Sequence, residues 1–560
     1  MSQPASAPAR WEVWLVALWC VAPLVPFVGK AVSIDAPVFV AVAHQILAHP
    51  LDPYGFQMVW DPTSPDAWVF NRNPPLLSYY LAGWIRLFGE SDRLLHVAML
   101  PISLFAGLSF LGIARRVAGT GVGPALLLVA TPAYFVLATT LMLDVLVLSF
   151  LLFGVYALLR GAESPSPGWQ VAAGAAAAAA GLSKYVGFCA VPLLAAGVWL
   201  LYGRRAGALL RVLAPPLVVW GLWGVYTAHL YGTPHFAGSS DVVLGKGRFA
   251  PDEFWNHVLS TPIYYGCALI FPVFLWMAGL VRGNYTTGLA VLGVIAGTLV
   301  VRFVLPDGEP SRRFPLEVEE ATFGALGCAS ALFLWGMFAR PRRLRERGVD
   351  RFLLLWLGGV LFFTMFMNWH VNSADALLAA PAVVLLVWRD PELRPGPRLL
   401  AGWLFLMMPL SLLLASADLE QANVYRTAAK RIVAEIGKRP GRRYFVGHWG
   451  LQHYLQREGF EAVVPPQYGR SDLEIGDWVA TARNVSQLDV SRNMGEYDYQ
   501  QVWSWEFDTA IPLRTTNADA SGGFYSHQSG YVPFAWTRKP LDTVTLGRVV
   551  AVKTRRSGGP

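Results

Sequence analysis

The sequence predicts a polytopic α-helical membrane protein that carries a soluble α/β domain at its C-terminal end, and three observations predict it. Of the 560 residues, 54% are hydrophobic and only 15% are charged, against about 25% charged in soluble domains. Apolar runs of roughly 20 residues, the length that crosses a bilayer core, recur along the first three quarters of the chain. After about residue 417 these runs stop and short helical and β-like segments replace them. The division is therefore a membrane part over 1–417 and a soluble domain over 418–560. The 22 Trp and 20 Tyr suit interfacial belts, where one end of the ring is dry and the other wet.

Hydropathy gives about thirteen spans, near 11–29, 93–114, 121–141, 142–160, 168–183, 185–202, 207–230, 262–281, 286–305, 321–339, 351–368, 374–388 and 398–416. The first run has no cleavage signal behind it and reads as a retained helix. With a cytoplasmic N-terminus, the basic residues fall in inside loops: Arg115-Arg116, Arg160, Arg204-Arg205, Arg282, the cluster from Arg340 to Arg347, and Arg389 to Arg398. That is the positive-inside pattern. It accounts for the net charge of +8 through topology and excludes nucleic acid as the partner. The outer side then receives the loops 30–92, 231–261 and 306–320 and everything after about 417. Cys20, Cys189, Cys267 and Cys328 all lie in apolar spans, as packing residues rather than a disulfide framework.

The 30–92 loop contains two predicted interfacial helices. One starts at Asp35, with Pro37 in its first turn and Val38, Val42 and Ile46 at helical spacing. The other starts at Pro74-Pro75, with Leu77, Leu81, Trp84 and Phe88 on one face. The stretch 168–183 is rich in alanine and glycine, which lets helices approach closely in lipid. In the soluble domain, Glu420 to Ile436 reads as a helix, Tyr444 to Val446 as a strand and Gly450 to Glu458 as a helix. Strands follow at Ala462 to Val464, Trp478 to Ala480 and Val544 to Val552.

The candidate chemistry begins at Asp35. An Asp two residues before Pro is a helix N-cap signal; the same carboxylate at a membrane surface is also a candidate general base. The two roles are compatible. Asp144 interrupts the apolar run Leu141 to Val147 at the outer end of a span, where an ionisable residue is costly and marks a functional site by default; the alternative is a capping or snorkelling carboxylate. Two outward carboxylates would share a divalent cation (Mg or Mn) or orient an acceptor. Lys184, at the outward turn in Gly181-Leu182-Ser183-Lys184-Tyr185, runs against the positive-inside preference. Arg72 is outward too, just before the Pro-Pro helix. Together a lysine and an arginine would hold a phosphate, one as a point charge and one as a fork; alternatively they anchor to lipid headgroups. Asn73 and, from the 231–261 loop, His235, Lys246 and Arg248 are candidates for lining the site. A carboxylate opposite a basic, proline-marked segment is what a transferase acting on a lipid phosphate needs. Gly447-His448-Trp449-Gly450 lacks the spaced glycines of a phosphate turn, and no His/Cys spacing resembles a zinc site.

With these residues placed, the chain resembles the GT-C membrane glycosyltransferases, close to the protein O-mannosyltransferase and lipid A aminoarabinose transferase branch. The resemblance is carried by Asp35 after the first span, Asn73-Pro74-Pro75-Leu76-Leu77, Leu87-Phe88-Gly89-Glu90, Leu143-Asp144, Gly181-Leu182-Ser183-Lys184 and the late Asn368-Trp369-His370-Val371-Asn372 before Pro381. It implies a polyprenyl-phosphate sugar donor, used with inversion at the outer face of the cytoplasmic membrane. Asp35 would then be the catalytic carboxylate, Asp144 would support the acceptor or a metal, and Lys184 would contact the donor phosphate. The acceptor is a lipid, a glycan or a protein. Two positions depart from the pattern. Arg72 and Asn73 stand where the aminoarabinose branch has an acidic residue or histidine and then lysine, which moves the phosphate role to Arg72. Ser373-Ala374-Asp375 stands where an arginine is common. Two other classes compete: a flippase of lipid-linked glycans, which would favour inverted repeats and mid-bilayer charges, and a non-catalytic scaffold with a binding tail.

Overall fold

The structure is a computed structural model. It describes residues 8–61, 64–164, 166–203, 205–238, 251–270, 327, 330, 331, 334, 338, 348–464, 471–485, 494–495, 497–517, 522–530 and 532–553. Helix α1 (Arg10–Val21) tightens into a 3₁₀ turn over Ala22–Phe27, where Pro23 and Pro26 remove backbone donors. The two helices expected in the first loop follow as α2 (Ala36–Ala48) and α3 (Leu76–Phe88). They pack on each other, and the Ser78 hydroxyl donates to the Phe39 carbonyl at 2.9 Å. Leu77 and Leu81 are fully buried, whereas Phe88 at the far end of the same face is 55% exposed. A short hairpin of β1 (Gln57–Asp61) and β2 (Ser64–Asp66) joins them.

The bundle continues with α4 (Leu100–Ala118), α5 (Val122–Ala130), α6 (Pro132–Ala138), α7 (Asp144–Glu163), α8 (Pro167–Ser183), α9 (Ala190–Gly197) and α10 (Ala206–Tyr231). The run 121–141 was expected as one span, and it is two helices. Pro132 cannot continue α5 and instead opens α6, capped by Thr131, whose hydroxyl accepts from the Tyr134 amide. Helix α8 packs against both α7 and α10. A Cβ on Gly174 would lie 2.4 Å from the Val212 carbonyl oxygen, so α8 and α10 approach more closely there than any residue but glycine allows.

Helix α11 (Pro251–Leu269) holds the first part of the span expected at 262–281. The span expected at 286–305 and most of that at 321–339 lie outside the described residues. Helices α12 (Gly348–Phe362) and α13 (Ser373–Arg389) follow, and nearly every residue of α13 is buried. The span expected at 398–416 and the soluble helix expected at 420–436 are one 40-residue helix, α14 (Pro397–Ile436). Among the described residues, seven helices are long and apolar enough to cross a membrane.

Beyond α14 lie β3 (Arg443–Val446), α15 (Trp449–Arg457), β4 (Glu461–Ala462), β5 (Trp478–Ala482), β6 (Tyr497–Phe507) and β7 (Asp542–Val552). They form a five-stranded sheet in the order β4-β3-β5-β7-β6, parallel from β4 to β5 and antiparallel on both sides of β7. The sheet and the C-terminal half of α14 have their own apolar clusters. The connection between β6 and β7 does not: Leu513, Phe524, Val532 and Phe534 belong to the core of the helical bundle. The first loop also docks on this domain. The Val32 amide donates to the Tyr454 hydroxyl at 2.9 Å, and Tyr454 and Arg426 both donate to Asp92, at 2.8 and 2.7 Å. Loop 30–92 and the C-terminal domain therefore share one side of the bundle.

Candidate active site

Asp35 occupies the N-cap position of α2, as the Asp-x-Pro pattern predicts, but its side chain makes no capping hydrogen bond. The expectation of a capping carboxylate is corrected here. The backbone at Asp35 is αR (φ −82°, ψ −2°), not the extended conformation that turns an N-cap side chain back onto the first amides. The residue before it, Ile34, has φ +53°. A β-branched residue in that region is strained and persists only where its surroundings enforce it, a feature that clusters at functional sites. Here the surroundings are the loop anchored at Val32 and at Lys30.

Asp144 opens α7 and is buried. Lys184 lies in the turn after α8, and its Nζ donates to Asp144 Oδ1 at 2.9 Å, with the lysine side chain 30% exposed and the carboxylate 8%. Asp35 is close enough to both for their fields to reach it. Burial pushes its carboxyl up, Lys184 pulls it down and Asp144 raises it again, and the net result is a pKa of about 6. For Lys184, burial works against the charge, but Asp144, with Asp375 and Asp35 behind it, holds the ammonium above the ordinary lysine value. The three residues singled out at 35, 144 and 184 thus form one electrostatic unit.

Arg72 and Asn73 lie half-buried in the loop before α3. The Asn73 carbonyl accepts from the Tyr54 hydroxyl at 2.6 Å. His235 is buried and holds this loop rather than facing an open site: its Nε2 meets the Asn71 carbonyl at 2.8 Å and its Nδ1 the Tyr185 hydroxyl at 2.6 Å. A carbonyl only accepts, so Nε2 carries the proton and Tyr185 donates to Nδ1. The ring also stacks on Tyr54, with centroids 4.6 Å apart, and burial lowers its pKa to about 4. A neutral histidine therefore ties the Arg72 loop to the neighbour of Lys184. Lys246 and Arg248 lie outside the described residues.

The divalent cation expected at Asp35 and Asp144 does not find a ligand set. Among the described residues no group of three or more His, Cys, Asp or Glu is placed to hold a metal, and Lys184 takes the position beside Asp144.

Sequence reasoning missed two groups. Asp375, in the first turn of α13, lends its field to the same lysine; Asn368 Nδ2 donates to both its oxygens at 3.0 Å and the Asn372 amide to Oδ2 at 3.1 Å. The signal was present: Asn372-Ser373-Ala374-Asp375 is a capping-box spacing ahead of an apolar run. The second group is a buried hub. Lys30 pairs with Asp418 and donates to Thr139 at 3.3 Å; Asp418 also accepts from Thr515 and Tyr525, each at 2.7 Å. Beside it is a cavity with room for about one water molecule, lined by Lys30, Ile34, His96, Asp418, Gln421 and Tyr525 among others.

Residues 72–227 match the family model described as dolichyl-phosphate-mannose-protein mannosyltransferase. That stretch contains Arg72, Asn73, Asp144 and Lys184, and the match bears out the resemblance there; Asp35 and His235 lie outside it. No curated protein matches the chain in sequence. Among solved structures, the chain is similar to ArnT from Cupriavidus metallidurans bound to undecaprenyl phosphate, at 16% identity over 98% of each chain with a TM-score of 0.44. It is similar to the apo state of the same protein at 17% identity over 98% of each chain, with a TM-score of 0.43. A third is the Archaeoglobus fulgidus oligosaccharyltransferase in complex with Zn and sulfate, at 13% identity over 88% of this chain and 71% of that one, with a TM-score of 0.46.

Proposed function

We propose that this protein is an inverting membrane glycosyltransferase that moves a sugar from a polyprenyl-phosphate donor to a hydroxyl of a lipid, glycan or protein acceptor. We place the reaction at the outer face of the cytoplasmic membrane, with the N-terminus inside and the domain after residue 417 outside. The observation that carries the reading is the carboxylate of Asp35: uncapped, preceded by a strained residue, and lying in the fields of Asp144 and Lys184. The match of residues 72–227 to a family named for a dolichyl-phosphate sugar donor supports it from the other side.

In this reading Asp35 is the general base. It takes the proton of the acceptor O–H as that oxygen attacks the anomeric carbon from the face opposite the phosphate. The bond between the anomeric carbon and the phosphate oxygen breaks, and its electron pair leaves on the polyprenyl phosphate. Lys184 and Arg72 hold the donor phosphate, the ammonium as a point charge and the guanidinium as a fork. Asp144 keeps Lys184 charged and directed. Asp35 then returns its proton to water. A base with a pKa near 6 is well matched to this work, because it is ionised at neutral pH yet basic enough to accept a proton in the transition state. His235 keeps the Arg72 loop beside Tyr185.

The test is transfer of labelled sugar from polyprenyl phosphate to envelope acceptors by purified wild-type protein and by Asp35→Asn. Transfer by wild type and its loss in a folded Asp35→Asn protein are expected; full activity in the variant would sink the assignment.

A further inference from the structure

The C-terminal domain reaches into the bundle through one short segment. Residues 522–530 form a strap between β6 and β7, and Phe524 within it is fully buried in the core of the bundle. The strap is laced to the turn that precedes α13. The Val371 amide donates to His527 Nδ1 at 3.0 Å, the His527 amide donates to the Val371 carbonyl at 2.9 Å, and the Ser373 amide donates to the Phe524 carbonyl at 3.1 Å. Two of these bonds run backbone to backbone and the third ends on the His527 ring, and together they join segments about 150 residues apart in sequence.

Helix α11 fastens the same two segments through adjacent tyrosines. The Tyr264 hydroxyl contacts the strap carbonyls of Gly523 and Gly530, the latter at 2.8 Å. The Tyr265 hydroxyl sits 3.1 Å from Thr364 Oγ1 and 3.3 Å from the Asp375 carbonyl oxygen. The strap itself is folded as tightly as a backbone allows: a Cβ on Gly523 would lie 2.3 Å from the Ser526 carbonyl oxygen and 2.5 Å from that of Gly530. Asp375 is the one charged group this unit presents inward among the described residues of the turn and strap. Asn368 and Asn372 donate to it, so its carboxylate is fixed rather than swinging. Across from it, Lys184 lies in the field of Asp144, then Asp375, then Asp35.

We infer that the C-terminal domain is a working part of the membrane site: the 522–530 strap and the 368–375 turn form one interlocked unit that presents Asp375 as a positioning residue for Lys184. The lysine bonds Asp144 on α7 and lies in the field of Asp375 on α13, whose place is set by a segment that belongs to the soluble domain. For the donor-binding consequence, this inference rests on the glycosyltransferase reading; for the mechanical coupling it does not.

The experiment uses the full-length protein in detergent micelles and has two arms. Hydrogen exchange compares wild type with Tyr264→Phe, which removes the hydroxyl from the strap without changing ring packing. Exchange is expected to rise by about tenfold, the effect of roughly 1.4 kcal/mol of lost protection, at 371–375 as well as at 522–530, with strands β5 and β7 unchanged. A rise confined to 522–530 overturns the coupling. The second arm measures donor KM and kcat. Asp375→Asn and Tyr264→Phe are each expected to raise donor KM about five- to tenfold with little change in kcat. The double variant is expected to be no worse than the poorer single one, and Asp375→Glu to recover part of the loss. Additive effects, or losses confined to kcat, overturn the positioning role. If the wild-type protein transfers no sugar, the glycosyltransferase reading falls, and the exchange arm alone decides the coupling.

Discussion

Lys30 and Asp35 stand at the two ends of one short loop, and the carboxylates they belong with are treated in opposite ways. At the Lys30 end, Asp418 is saturated: an ammonium and the hydroxyls of Thr515 and Tyr525 converge on its two oxygens, and both charged side chains are about 95% buried. At the other end, Asp35 has no capping bond, follows a strained isoleucine and has its pKa raised chiefly by burial. One carboxylate has been given every partner it needs, and the other has been left wanting a proton. Satisfied buried charge fixes where two elements meet, whereas a half-buried carboxylate without a capping bond is free to take up a proton. The loop from 30 to 35 is the device that makes the second possible, since the hub anchors the backbone that keeps Ile34 strained.

The contrast breaks most visibly at Asp35. Replacing it with Asn is expected to reduce sugar transfer by about 10²- to 10⁴-fold, while thermal unfolding at pH 8 stays at or slightly above the wild-type temperature. The sign follows from the pKa: a carboxyl raised to about 6 in the folded protein is stabilised when protonated, so above that pH its charge detracts from stability, and a neutral amide removes that cost. Unfolding well below the wild-type temperature would erase the distinction from Asp418. Asp418→Ala should do the reverse, lowering stability by about 3–5 kcal/mol through an unpaired buried Lys30, read as a drop in unfolding temperature. Smaller is the effect of Lys184→Met, for which the loss of a charged hydrogen-bond donor worth about 1.5–3 kcal/mol predicts a rise of roughly 10- to 100-fold in donor KM. The pH profile sharpens the same contrast: transfer should fall tenfold per unit as pH drops below about 6, because the proton returns to Asp35, and a profile flat from pH 5 to 8 would remove it from the reaction. At the small end, Thr515→Val takes one of three donors from Asp418 and should cost about 1 kcal/mol.

Much of this was legible in the sequence because it is local. A proline two residues after Asp35, paired prolines before Leu76 and an aspartate inside an apolar run each report on their own neighbourhood, and α2, α3 and α7 begin where these signals say. The side-chain state of Asp35 was not legible, because the N-cap signal specifies a position and not the backbone conformation that lets a carboxylate turn back. The hub was invisible for a different reason. Lys30 and Asp418 are 388 residues apart, and each looks like an ordinary polar residue at a span end. The strap carries no pattern of its own, because its order comes from Val371, Ser373 and Tyr264. Similarly, a break at Ala417 was expected where hydropathy falls, but α14 runs straight through: hydropathy reports solvent, and helix formation does not require that solvent stay the same along the axis.

That helix couples the site to the lipid around it. Forty residues at 1.5 Å each give α14 an axis of about 60 Å, roughly twice the hydrocarbon thickness of a bilayer. Its lower half must match the membrane, while its upper half carries Asp418 and the sheet. A bilayer that thins or thickens by a few ångströms tilts or shifts such a rod rather than stretching it, and the displacement arrives at the hub, at the strap and at the turn bearing Asp375 together. Acyl-chain length is therefore a physical input to this protein in its own right, and reconstitution in lipids of graded length would register it as a change in donor affinity with no residue altered.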